Sequence, residues 1–176
     1  MLPTLTTPRL VLRPAVEADL EALWQLLILP DVKRYLCDDK TLAREVVAGI
    51  LAEHLAAAGK GMGMWIALHD GAFAGIAALK PVAQVLVDLI PSLDGEVEPT
   101  IAFAPTLWGR GLAGEALDAV LAHGFGALGL VRIAGVCDAP NLASARMLAR
   151  AGFREIGEFP GVFYRVKVWQ KEAVLF

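Results

Sequence analysis

Arg9-Leu-Val-Leu-Arg13 alternates polar and apolar residues up to Pro14, the pattern of a short half-buried strand. From Val16 to Leu29 the period changes. Leu20, Leu23, Trp24, Leu27 and Ile28 recur at helical spacing, and Pro30 ends the run. A further helical turn is expected over Asp31–Leu36. A second full helix is expected over Thr41–Ala58, with Leu42, Val46, Ile50 and Leu55 on its inner stripe and Thr41 or Asp39 as its cap. Glycines 59, 61 and 63 break it. Met64–Leu68 and Ala72–Leu79 then read as strands joined at His69-Asp70-Gly71, where Asp-Gly signals a hairpin. Pro81–Asp94 is ambiguous: apolar, bounded by Pro81 and Pro91, yet holding Gln84 and Asp88. Val97–Ala104 reads as a buried strand, Gly109–Leu128 as a long helix, Arg132–Val136 as a strand and Asn141–Ala151 as a helix. Arg154–Phe159 and Val162–Trp169 close the series as strands around Pro160-Gly161.

Two helices thus precede a hairpin, and two strand–helix–strand units follow. Such units require parallel neighbours, whereas hairpins are antiparallel, so the expectation is a mixed α/β sheet with helices on both faces. No linker interrupts residues 1–176, which read as a single domain.

Composition sharpens this in one respect. The 176 residues are 56% hydrophobic and 20% charged, which excludes disorder and raises the question of a membrane. The longest stretch without Lys, Arg, Asp or Glu is Ala119–Val131, too short to span a bilayer, and the N-terminus has no secretory pattern. Sixteen basic against nineteen acidic residues give no general attraction for nucleic acid or an anionic membrane. Cys37 and Cys137 form no disulfide framework and suit a cytoplasmic protein. His54, His69 and His123 are scattered, so no metal site is expected.

The stretch richest in chemistry begins at Glu98. A strand leads through Pro105 into Gly109-Arg-Gly-Leu-Ala-Gly114 at the mouth of a helix. The first N–H groups of a helix lack intrahelical partners and sit at the positive end of its dipole, and glycines let an anion approach them closely. Arg110 adds a cation at the rim. The blander reading is that the glycines permit tight helix–strand packing. Gly109, Gly111 and Gly114 also satisfy G-x-G-x-x-G, with Asp138 at the end of the following strand. However, Pro105–Trp108 separates strand from glycines, and too little chain follows Gly114 for two mononucleotide-binding halves.

The stretch resembles the acetyl-coenzyme A loop of the GNAT N-acetyltransferase superfamily, in its RimJ/RimL-like branch. The general pattern is Gln/Arg-x-x-Gly-x-Gly/Ala; Trp108 takes the first place, Gly111 and Ala113 match, and Glu115-Ala116 follow as in that branch. Thr6-Thr-Pro-Arg-Leu-Val-Leu-Arg-Pro14 resembles the branch's opening T-x-R-L-x-L-R strand. Asn141-Leu-Ala-Ser-Ala-Arg-Met-Leu-Ala-Arg-Ala-Gly-Phe-Arg154 resembles its N-x-x-S-x-R-x-L-x-K-x-G-F helix.

The resemblance implies a mostly antiparallel twisted sheet with a central, splayed parallel strand pair and helices on both faces. It implies acetyl-CoA as cosubstrate, its pyrophosphate on the N–H groups of Gly109, Arg110, Gly111, Leu112, Ala113 and Gly114 beside Trp108. The pantetheine arm would pair with the backbone of Ile101, Ala102 and Phe103, with Ile133–Val136 completing an apolar slot. Asn141 matches a position whose side chain contacts that arm, though Asn also serves as a helix N-cap. The reaction implied is direct attack of a primary amine on the thioester. Glu98 is the expected base, with Glu96 or water as alternatives. Relatives supply a Tyr acid at the position of Leu148; Ser144 matches a retained Ser that could serve instead, or could bond within its helix. Cys137 reads as a small buried apolar residue.

The acceptor expected is a protein N-terminus or, alternatively, a small-molecule amine such as a polyamine, amino acid or aminoglycoside. A non-catalytic acyl-CoA-binding sensor is the reading from another class. Asp38, Asp39, Asp88 and Asp94 are candidates for attracting a cationic amine. The apolar Val162–Phe176 segment, with Phe163, Trp169 and Phe176, is a candidate homodimer surface.

Overall fold

The structure, a computed structural model, describes residues 1–174; Phe176 of the candidate dimer surface lies outside them. The chain divides into two units, Met1–Lys80 with Thr100–Val120, and Pro81–Pro99 with Leu121–Phe176.

In the first unit the alternation at the N-terminus becomes β2 (Leu10–Pro14), preceded by a short β1 (Leu5–Thr6). Leu10 and Leu12 are buried while Val11 between them is exposed, as the period of two requires. β2 pairs antiparallel with β3 (Gly63–His69), which pairs antiparallel with β4 (Ala72–Pro81), and β5 (Val97–Phe103) completes the sheet order β1-β2-β3-β4-β5. The β3–β4 turn has positive φ at both Asp70 and Gly71, the twist that joins neighbouring strands without splaying them. Met64 and Ile66 of β3 and Ile76 and Ala78 of β4 enter an apolar cluster with Leu23, Leu26 and Leu27 of α1 (Leu20–Leu27), Val32 of α2 (Pro30–Leu36), and Val47 and Leu51 of α3 (Arg44–Ala57). Trp65 and Ala67, on the opposite face of β3, are equally buried. A sheet buried on both faces accounts for much of the apolar excess.

Three expectations need correction here. Helix α3 starts at Arg44, and neither Thr41 nor Asp39 caps it; the Lys33 ammonium donates to the Thr41 hydroxyl (3.2 Å) and pairs with Asp39 (3.5 Å) instead. Its inner face carries Val47 and Leu51, whereas Val46 is exposed: a helix apolar nearly all round does not fix its own orientation. Helix α5 (Leu112–Gly126) begins three residues later than the expected Gly109, since Gly109 and Gly111 adopt left-handed backbone angles.

In the second unit β6 (Arg132–Asp138), β8 (Val166–Glu172) and β7 (Arg154–Phe159) form an antiparallel sheet in the order β6-β8-β7. α6 (Leu142–Arg150) lies between β6 and β7 in the chain. The ambiguous Pro81–Asp94 resolves as α4 (Gln84–Leu89) followed by a single 3-10 turn, Pro91–Leu93. Val82, Ile90 and Leu93 join Ala134, Val166 and Val168 in a core, while Gln84 donates to Asp88 across one helical turn (2.8 Å). β8 starts at Val166 rather than Val162, because residues 160–165 are spent on the turn; a Cβ at Gly161 would come within 2.8 Å of Val166. Trp169 is buried within the chain itself and is withdrawn from the candidate dimer surface, whereas Val162 and Phe163 are exposed. β5 and β6, the strands expected to run in parallel, are each the edge strand of their sheet.

Candidate active site

Ile101, Ala102 and Phe103 form the last residues of β5, with Ala102 and Phe103 buried. Ala104 N–H donates to the Ala74 carbonyl (2.9 Å), so β4 and β5 stay paired to the strand's end. Gly75 permits this approach: a Cβ there would lie 2.7 Å from the Phe103 Cα. A 3-10 turn, Pro105–Leu107, then reverses the chain. The Trp108 indole N–H donates back to the Phe103 carbonyl (2.8 Å), closing that turn while about half of the residue stays exposed.

Gly109 and Gly111 follow with φ of 75° and 78°, a region that side chains with a Cβ rarely adopt. Nothing lies within 4 Å of a Cβ built at Gly109 or Gly114. Tight packing therefore does not explain these two glycines; backbone conformation explains Gly109, and open space stands beside both. α5 begins directly after Gly111, so the N–H groups of its first turn have no carbonyl partner upstream in the helix. Arg110 is exposed at the rim, and Leu112 is buried.

Side chains from the turn between β1 and β2 hold this loop. Glu115, in the first turn of α5, accepts from the Thr7 hydroxyl (2.5 Å), the Arg9 backbone N–H (2.8 Å) and Arg9 Nε (2.7 Å), and Arg9 Nη2 pairs with it at 2.6 Å. Burial pushes the Glu115 carboxyl up, but the bonds from Thr7 and Arg9 outweigh it and hold it below the usual glutamate range. Arg9 Nη1 donates to the Arg110 carbonyl (2.9 Å).

The second unit holds the other expected residues. Glu98, on the first half of β5, is buried. Glu96, just before the strand, forms an ion pair with Arg132, whose Nε donates to it at 2.8 Å. Asn141 is the N-cap of α6: its Oδ1 accepts from Ser144 N–H (3.1 Å). The Cys137 thiol on β6 lies within hydrogen-bonding reach of Ser144 and of Trp169, whose indole N–H meets no partner in full hydrogen-bond geometry. Burial raises the Cys137 pKa, and those two neighbours pull it down without reversing the shift. Leu148 is buried, with its methyl groups against β6 where a Cβ at Gly135 would come within 2.9 Å.

Comparison with known proteins decides what this arrangement belongs to. The family model for the acetyltransferase (GNAT) domain matches residues 9–154. The chain belongs to the GNAT acetyltransferase family. It is an acetyl-CoA-dependent N-acetyltransferase. Among relatives, "Uncharacterized N-acetyltransferase YoaA" of Bacillus subtilis is 28% identical over 167 residues, covering 94% of this chain and 90% of its own. A solved acetyltransferase from Agrobacterium tumefaciens superposes with a TM-score of 0.80 at 23% identity, covering 98% of this chain and 96% of that one. RimL, an alpha-N-acetyltransferase of a ribosomal protein, solved in complex with coenzyme A, gives 0.76 at 18% identity, covering 97% and 98%. At such identities the two structures share the GNAT fold with this chain.

Within the acetyltransferase's first unit, Ile101 to Gly114 form one continuous strand–turn–helix run. Thr7, Arg9 and Glu115 received no role from sequence reasoning, although all three stand inside motif-like stretches. The available signal was that the T-x-R-L stretch and the Glu-Ala after the glycines carry polar residues of complementary charge, one cation and one carboxylate.

Proposed function

We propose that this acetyltransferase holds acetyl-CoA with its pyrophosphate on the N–H groups of the 109–114 loop and transfers the acetyl group to the α-amine of a protein N-terminus. The observation that supports the loop assignment most is the pair of left-handed glycines with open space beside Gly109 and Gly114 at the start of α5. Backbone donors at the positive end of a 15-residue helix suit a diphosphate in both charge and geometry. Trp108 and Arg110 flank that cradle. The backbone of Ile101, Ala102 and Phe103 supports the pantetheine arm, and Asn141 serves as the N-cap of α6.

Acetyl-CoA supplies the acetyl group as an activated thioester. The acceptor amine must be neutral at nitrogen to attack the carbonyl, and it loses a proton as the C–N bond forms and the C–S bond breaks. Glu98 receives that proton, directly or through water. Glu96 is read out of this role by its engagement with Arg132. Ser144 is assigned the donor's part toward the departing sulfur, its hydroxyl lying beside the protonated Cys137 thiol. We read residues 1–176 as one acetyltransferase domain, working in the cytoplasm, where both free thiols remain reduced.

The N-terminal acceptor rests on likeness to a ribosomal-protein acetyltransferase, so the competing acceptors are set against it directly. The test is acetyl-CoA turnover, read as free thiol released and as product mass, on a panel of peptides with free N-termini, polyamines, amino acids and aminoglycosides. Peptide acetylation at the α-amine is the expected result. Turnover of a small amine alone would overturn the acceptor assignment. Coenzyme A binding without turnover on any acceptor would overturn the catalytic roles given to Glu98 and Ser144.

A further inference from the structure

The turn between β1 and β2 is joined to the glycine loop and α5 by the Thr7 and Arg9 side chains, and Arg9 alone touches both the Glu115 charge and the loop backbone. The Arg9 guanidinium meets the Glu115 carboxylate with Nε (2.7 Å) and Nη2 (2.6 Å), and with Nη1 it meets the Arg110 carbonyl (2.9 Å). A planar guanidinium is built for this kind of two-sided contact, whereas an ammonium is not. Across a trans peptide, the carbonyl of one residue and the N–H of the next point in opposite directions. Fixing the Arg110 carbonyl on Arg9 therefore aims the Gly111 N–H away from the opening strand. The Gly111 carbonyl is fixed too, since it accepts from Glu115 N–H (3.1 Å).

The charges carry a second point. A carboxylate in the first turn of a helix stabilises the helix dipole, yet it opposes a phosphate arriving at the same N-terminus. Glu115 stands in that turn. Arg9 neutralises it and leaves the backbone N–H groups as the dominant field. A Cβ at Gly111 would sit 3.6 Å from Arg9 Nη2, so the guanidinium also lies directly behind the loop's second left-handed residue.

We infer that Arg9 is the positioning residue of the anion cradle: it orients the Arg110–Gly111 peptide and cancels the Glu115 charge, so that the loop receives a diphosphate without first having to be ordered. This inference rests on the reading of the 109–114 loop as the pyrophosphate site. It assigns a role to the Thr-x-Arg strand and to the Glu after the glycines as one device rather than two motifs. The Thr7 hydroxyl and the Arg9 backbone N–H also bind Glu115, so strand and helix remain tied when only the guanidinium is removed.

The test compares two calorimetric probes, coenzyme A and pantetheine, which differ by the phosphate-bearing half. In Arg9→Gln the dissociation constant for coenzyme A is expected to rise about tenfold, the scale of one lost charge-assisted bond, with pantetheine binding and the melting temperature close to wild type. Arg9→Lys, keeping charge without the fork, is expected to fall between the two. Adding Glu115→Gln to Arg9→Gln is expected to recover part of the loss, because the uncompensated carboxylate is gone. Unchanged coenzyme A affinity in Arg9→Gln, or equal losses for both probes, overturns the inference; should Arg9→Gln not fold, the same comparison in Arg9→Lys decides it. Failure of the loop reading looks different: Gly111→Trp would then bind coenzyme A normally. If Gly111→Trp loses coenzyme A while Arg9→Gln keeps it, the positioning role alone falls.

Discussion

The 109–114 loop and the β6–α6 region use their side chains in opposite ways. In the loop, side chains serve the backbone: Trp108 closes a turn, Thr7 and Arg9 hold Glu115, and Arg9 holds a loop carbonyl. What remains beside Gly109 and Gly114 is open space next to the main chain. In the β6–α6 region the polar side chains are engaged locally, and Leu148 is the buried residue of the helix. Asn141 caps its helix, Ser144 meets Cys137, and Leu148 fills the space above Gly135. The difference separates binding from chemistry. An anion can be held by peptide groups alone once their conformation is fixed, whereas moving a proton needs a particular side chain in a particular environment.

The proposed base, Glu98, stands outside both regions, on the first half of β5. Glu98→Gln is expected to lower kcat by about a hundredfold or more while leaving coenzyme A affinity within a factor of two or so, the usual scale for removing a general base. The acidic limb of the pH–rate profile should disappear with it. An unchanged profile removes Glu98 as base.

Leu148→Tyr probes whether the β6–α6 region is sealed. A phenol there must displace well-packed methyl groups, so a stability loss of about 1–3 kcal/mol in chemical denaturation is expected, with no gain in rate. A faster enzyme of wild-type stability would show that the space is open to a proton donor after all.

The smallest effect concerns Cys137. Its raised pKa means that thiolate accumulates only at pH above the ordinary thiol range, so alkylation of a Cys37→Ala protein at pH 8 should be slower than that of a free cysteine and should climb with pH beyond the point where a free thiol levels off. Rapid labelling at pH 7 would contradict the packing around it.

The same contrast explains what the sequence made legible. Gly109 and Gly111 stand where the backbone is left-handed, a conformation that glycine adopts most cheaply, and Gly71 in the Asp70-Gly71 hairpin turn does the same. Asn141 was readable as a cap because its side-chain chemistry is local. The orientation of α3 was not readable, since apolar residues lie on nearly every face of that helix and tertiary packing chose Val47 over Val46. Nor was the start of β8, where the turn after Pro160 consumed residues whose composition reads as strand. Pairing partners distant in sequence, Arg9 with Glu115 and Glu96 with Arg132, are set by the three-dimensional arrangement and leave only complementary charges as a trace.

In the proposed function, the 109–114 loop carries the acetyl-CoA pyrophosphate on its backbone. Calorimetry of acetyl-CoA binding to wild type and to Gly111→Trp tests it most directly, with circular dichroism to confirm that the variant folds. The left-handed backbone at Gly111 admits no bulky side chain without strain, so a folded variant without measurable heat of binding is predicted. A folded Gly111→Trp protein that binds acetyl-CoA as tightly as wild type would contradict the account.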